Sequence, residues 1–140
     1  MDAVKQIVID GKGLILGRLA SYVAKQALLG KTIVVLNCNE VVVSGARANI
    51  LGEYARIRGM DGSNLKGPFL PRVPEKLVKR TIRGMLKYKQ GRGEQAFDKV
   101  RCYNEVPAEF EKANKVSPKE LHSHSVKTKV MKLNEIVGLL

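Results

Sequence analysis

The chain has 140 residues, enough for one domain with a real core. Its 44% hydrophobic content is ordinary for a globular protein, but a net charge of +12 and a pI near 9.9 point to a polyanionic partner, nucleic acid before an anionic membrane. Only 5% of residues are aromatic and none is Trp, which argues against single-strand binding through rows of stacked bases and leaves backbone and shape recognition of a folded or duplex nucleic acid.

Taken in order, Gln6 to Asp10 (QIVID) reads as a short strand, and Gly11-Lys12-Gly13 turns the chain. Leu16, Leu19, Ala20, Val23, Ala24, Ala27 and Leu28 then recur at helical spacing, with Gly30 where a C-terminal cap belongs. Lys31 to Asn37 (KTIVVLN) is continuously apolar and β-branched, like a strand buried on both faces, and Val41–Val43 is a second short candidate. Strand, helix, strand predicts a βαβ unit with parallel strands. After Ser44-Gly45, residues Ala46 to Arg58 read as a helix with Ile50, Leu51, Tyr54 and Ile57 inward. Gly59 to Val73 is a long connection without periodicity, carrying Lys66 and Arg72, and reads as an arm that orders on the partner.

Pro74 to Gly93 (PEKLVKRTIRGMLKYKQGRG) is the most informative stretch. It holds seven cations against one acid, Glu75. At about 100° per residue, Lys76, Lys79, Arg80, Arg83 and Lys87 share one arc, while Leu77, Val78, Thr81, Ile82 and Met85 fall opposite. Pro74 suits the first helical turn. One face is made for a core, the other for phosphates, and Lys89 and Arg92 continue the charge around Tyr88. Glu94 to Lys99 continues helically, and Val100 to Tyr103 looks like a strand. Pro107 to Lys112 makes one or two helical turns, and Ala113 to Val126 is polar and unpatterned. A strand (Lys127 to Leu133) and a short helix (Asn134 to Leu140) follow. The expectation is a single α/β domain over 1–140.

No constellation points to catalysis. Gly11-x-Gly13-x-x-x-Gly17 stands between a strand and a helix, where a glycine loop can cradle a pyrophosphate, but its spacing is not the dinucleotide pattern and no acid is well placed for a ribose. The alternatives there are a tight structural turn, or a helix N-terminus from which Lys12 or Arg18 contacts a nucleic-acid phosphate. Gly30-Lys31-Thr32 imitates the end of a P-loop but precedes a strand. His122 and His124 have no partners at metal spacing, and the thirteen carboxylates are scattered. Cys38 and Cys102 read as two buried free thiols in a reducing cytosol. No signal-peptide pattern or apolar run of membrane-spanning length stands out, so the expected location is the cytoplasm, with no membrane partner.

The order of several segments resembles the large-subunit ribosomal protein family thirteen (universal L-thirteen). The block Ile82-Arg83-Gly84-Met85-Leu86, then Gly93 and a helix leading into Val100-Arg101-Cys102-Tyr103, is similar to the family signature. Asp10 through Leu16-Gly17-Arg18-Leu19-Ala20 and Asn37 through Ser44-Gly45 match its earlier segments. Lys79 to Leu86 is close to the archaeal and eukaryotic form, and the chain looks more like an archaeal member in lacking a long basic C-terminal extension. The family usually continues with proline after Met-Leu. Lys87 stands there instead, which lengthens the helix or alters the turn.

The resemblance implies a three-layer α/β/α fold around a small, mostly parallel sheet. It further implies a non-catalytic constituent of the large ribosomal subunit, bound to large-subunit ribosomal RNA and neighbouring ribosomal proteins and acting early in assembly, with no cofactor or metal. The residues expected on RNA are Arg18, Arg58, Lys66, Arg72, Lys76, Lys79, Arg80, Arg83, Gly84, Lys87, Lys89 and Arg92. At Gly84 the lack of a Cβ would let the backbone approach RNA or a neighbouring element closely. The competing readings are a small nucleotide-binding α/β enzyme using the Gly11–Gly17 turn and a free regulator that binds duplex nucleic acid.

Overall fold

Parallel pairing of the first two strands sets the architecture. In the computed structural model, which describes residues 5–60, 70–125 and 127–139, β1 (Gln6–Asp10) pairs with β2 (Thr32–Leu36) from Gln6 opposite Thr32 to Asp10 opposite Leu36. The crossover between them is α1 (Leu16–Leu28), so the βαβ unit forms as its apolar periodicity predicts. Its helix buries Leu16, Leu19, Ala20, Val23, Ala24 and Ala27, and each large side chain among them contributes about 1.5–3 kcal/mol by leaving water. The helix ends in the two hydrogen bonds of a Schellman cap, Gly30 N–H to Ala27 O and Lys31 N–H to Gln26 O.

Two more strands join the sheet in parallel. β4 (Val100–Cys102) lies outside β2, and β5 (Lys115–Val116) lies outside β1, giving the order β4-β2-β1-β5. A separate antiparallel pair joins β3 (Val42–Ser44) to β6 (Val130–Lys132). The helices α2 (Arg47–Arg58), α3 (Pro74–Gly84), α4 (Gly91–Asp98) and α5 (Leu133–Leu139) complete the fold. Strand alternation divides the core. Ile9, Ile33 and Val35 face the large cluster built with α1 and α3. Val8, Val34 and Leu36 face the other way and are covered by Tyr103, Val106, Phe110 and Ala113. The cover contains a single 3₁₀ turn, Ala108–Phe110, where one or two helical turns are expected from sequence.

The central basic stretch is not one helix to Gly93. α3 stops at Gly84, residues 85–90 turn, and α4 starts at Gly91. The turn is fixed by burial of Leu86, by Gln90 N–H donating to Lys87 O at 3.0 Å, and by the Lys87 carbonyl packing directly on Gly93. Lys87 therefore leaves the α3 arc, and Met85, expected inward, is 45% exposed. In place of the family proline, Lys87 accompanies a turn and not a longer helix. Two further expectations are corrected. The segment read as unpatterned contains β5, and Cys102 is only half-buried while Cys38 is fully buried. Positions 61–69 of the expected arm, including Lys66, lie outside the described residues.

Candidate nucleic-acid interface

α3 owes its orientation to both of its faces. Leu77, Val78 and Ile82 are buried, and Thr81 returns its hydroxyl to the Leu77 carbonyl at 2.9 Å. At its start no side chain of the N-cap residue serves the free N–H groups. Asn104, just beyond β4, reaches across instead, and its Oδ1 accepts the Glu75 N–H at 2.9 Å. The sheet edge thus clamps the first turn of the helix whose outer face carries the charge.

On that face Lys76, Lys79, Arg80 and Arg83 converge with Pro71 and Phe97 around a hollow of about 210 Å³. Among the described residues, none of these four cations pairs with a carboxylate; the ion pairs found there join Arg56 to Glu53 and Lys132 to Glu40. Lys79 Nζ instead stands 4.9 Å from the centre of the Phe97 ring. Such a contact is worth about 0.5–2 kcal/mol and leaves the ammonium charged for an anion. Burial raises the Tyr54 hydroxyl above its ordinary value, and the nearby positive charge of Arg80 partly opposes that rise. Arg80 stands between the hollow and a second, largely apolar groove of about 520 Å³ against α2, lined in part by Ile50, Tyr54, Ile57 and Leu77.

The expected RNA residues do not all gather here. Lys87 and Arg92 share a neighbouring depression with Leu28, Met85, Leu86 and Gly93, whereas Lys89 approaches Tyr88 beside Arg83. Gly84 is exposed, and beyond its chain neighbours and its own helix backbone no described atom would lie within 4 Å of an added Cβ, so it serves no close approach to another element of the described protein. Arg72 is exposed just before α3, and Arg58 closes α2. Arg18 lies apart at the start of α1, its Nη1 donating to the Glu120 carbonyl at 3.2 Å. Sequence periodicity did not reveal Pro71, Phe97 or Asn104, because each meets α3 from a different segment. The one available signal for Phe97 is an aromatic residue on the helix that follows two glycines and a run of cations.

The glycine turn is occupied by the protein itself. Gly11 N–H donates to Leu36 O at 2.8 Å and Gly13 N–H to Glu40 O at 3.1 Å, so neither is presented to a pyrophosphate. A Cβ on Gly11 would meet Leu36 O at 2.8 Å, and the His122 ring lies against Gly13. His122 stacks on His124 with ring centres 4.2 Å apart, and among the described residues no group of three or more His, Cys, Asp or Glu side chains is placed to hold a metal ion. Cys38 sits beside Cys102, whose thiol and then burial push the Cys38 thiol far above its ordinary value. It is therefore an inert thiol and not a nucleophile. Among the described residues no helix is long and apolar enough to cross a membrane.

These features define a small, basic α/β protein with a face of clustered cations on α3. The family model for ribosomal protein L13 matches residues 4–109, and the chain belongs to that family. It is 44% identical over 110 residues to the large ribosomal subunit protein uL13 of Methanococcoides burtonii, covering 79% of this chain and 78% of that protein. Against uL13 of Methanosarcina barkeri it is 50% identical over 104 residues, 74% of each chain. Against uL13 of Methanopyrus kandleri it is 40% identical over 114 residues, 81% of this chain and 71% of the relative. As a member of a ribosomal protein family, the protein is a structural component of the ribosome and not an enzyme.

Proposed function

We propose that the protein is a constituent of the large ribosomal subunit that binds large-subunit ribosomal RNA through the outer face of α3, and that it does so early in subunit assembly, in the cytoplasm. The observation carrying this reading is the convergence of Lys76, Lys79, Arg80 and Arg83 on one hollow with no carboxylate partner among the described residues. Four like charges held together on a rigid helix repel one another, and a phosphate backbone relieves that repulsion while releasing its condensed counterions. Two of the four are arginines, whose planar forks suit phosphate oxygens.

Arg58, Arg72, Lys87, Lys89 and Arg92 extend the surface, with Arg18 and Lys66 as outlying contacts and Gly84 as a place where RNA backbone can come close. The chain acts as one domain, with residues 59–73 as an RNA-contacting arm and neighbouring ribosomal proteins as further partners. Sedimentation of cell extract tests the reading. The protein should co-migrate with the large subunit and stay there through moderate salt. Migration at the top of the gradient at low salt would contradict it.

A further inference from the structure

Tyr88 has no role in the core. Among the described residues it is the only aromatic in the set of exposed large apolar side chains, at 38% exposure. It stands on the turn between α3 and α4, beside the basic hollow. The turn is rigid: Leu86 N–H donates to Arg83 O at 3.1 Å, Gln90 N–H to Lys87 O at 3.0 Å, Glu94 N–H to Gln90 O at 2.8 Å, and the Lys87 carbonyl abuts Gly93. Two cations attend the ring. The Arg83 guanidinium carbon is 5.0 Å from its centre and Lys89 Nζ is 5.9 Å away.

We infer that Tyr88 is a stacking platform for one unpaired nucleobase, with Arg83 and Lys89 holding the phosphates that flank it. The inference rests on the RNA-binding reading above and adds to it a single-nucleotide subsite. An exposed cation–π contact is weak, so the guanidinium can exchange the ring face for a phosphate oxygen when RNA arrives. The vacated face then accepts a base, and any base serves, because each has a π surface. A rigid turn matters here, since the backbone that carries the ring is already placed and only the two side-chain torsions of Tyr88 remain to be ordered on binding. Phe97 cannot do the same: it packs against the core cluster with Lys79 over its ring. The low aromatic content excludes a row of such platforms but not a single one.

Stacking and charge neutralisation leave different signatures. Filter binding of protein-free large-subunit ribosomal RNA across a salt series should show Tyr88→Leu weakened by roughly five- to a hundredfold at every salt concentration, with the salt slope unchanged. Tyr88→Phe keeps the ring and should bind within about twofold of wild type on the same stacking account. Lys76→Gln/Arg80→Gln should instead lose affinity and flatten the slope. The chain contains no Trp, so Tyr88→Trp provides a single emission probe. A hairpin with an unpaired loop should quench it, and a blunt duplex of the same stem should not. Normal affinity for Tyr88→Leu alongside weakened Lys76→Gln/Arg80→Gln would overturn the platform while leaving RNA binding intact. Equal quenching by hairpin and duplex would also overturn it. Wild-type affinity in all the variants would remove both readings.

Discussion

Two glycines near the charged face should respond in opposite directions to the same substitution. Gly93 is buried in the first turn of α4, and a Cβ there would overlap the carbonyl oxygen, carbonyl carbon and Cα of Lys87. The obstacle is backbone and cannot rotate away, so Gly93→Ala must push the 85–90 turn and α4 apart. Overpacking of this kind costs about 1–3 kcal/mol, and a backbone obstacle places it at the upper end. Alanine recovers about 1 kcal/mol through its better helix propensity. The net loss is about 2 kcal/mol, or roughly 6–8 °C in Tm for a domain of this size. Gly84 closes α3 with open space where its Cβ would be, so Gly84→Ala should gain about 0.5–1 kcal/mol and raise Tm by roughly 2–3 °C. Thermal melts followed by circular dichroism check both variants. A Gly93→Ala protein melting at or above wild type would refute the packing account. A stabilised Gly84→Ala protein that binds RNA more weakly would assign Gly84 a contact with RNA.

Other consequences follow from particular atoms. Asn104→Ala removes the acceptor for Glu75 N–H and should cost about 1 kcal/mol, read as a lower urea midpoint with unchanged m-value. Cys38 is held protonated far above its ordinary value of 9.0, first by the Cys102 thiol and then by burial. Its contribution to stability is therefore complete below pH 9.0 and declines as pH rises through and beyond it, by up to about 1.4 kcal/mol per pH unit. Urea unfolding between neutral and alkaline pH should show a flatter decline for Cys38→Ala; parallel declines would mean the thiol does not titrate this way. Calorimetric titration with nicotinamide and adenine nucleotides should give no saturable heat, because the Gly11 and Gly13 N–H groups are already bonded to carbonyls.

The parts of the fold legible in sequence are those whose signal is local. The α1 stripe, the β-branched run of β2 and the split between charged and apolar faces of α3 each follow from their own residues. β5 was invisible because Lys115 and Val116 are exposed and are a strand only through pairing with Val8 and Ile9. The end of α3 is not legible in sequence because the helical period of cations runs on through Lys87, whereas the chain turns where Leu86 finds the core and Lys87 meets Gly93. Gly84, Gly91 and Gly93 were the available warning, since three glycines in ten residues weaken a helix. The charged face was therefore readable from α3, but its walls at Pro71 and Phe97 and its support from Asn104 depend on contacts between distant segments.

The central claim is that the α3 cations neutralise RNA phosphates together. It is tested most directly by the salt dependence of RNA affinity in Arg80→Gln/Arg83→Gln. This pair leaves Leu77, Val78 and Ile82 untouched, so the melting curve should stay close to wild type. Each phosphate contact contributes about 0.7–0.9 to the slope of log affinity against log salt. The double variant should bind large-subunit ribosomal RNA more weakly, with a slope shallower by about one to two units, and lysine at both positions should restore only part of the loss. A folded double variant with wild-type affinity and wild-type slope would contradict the account and leave the basic face of α3 simply solvated.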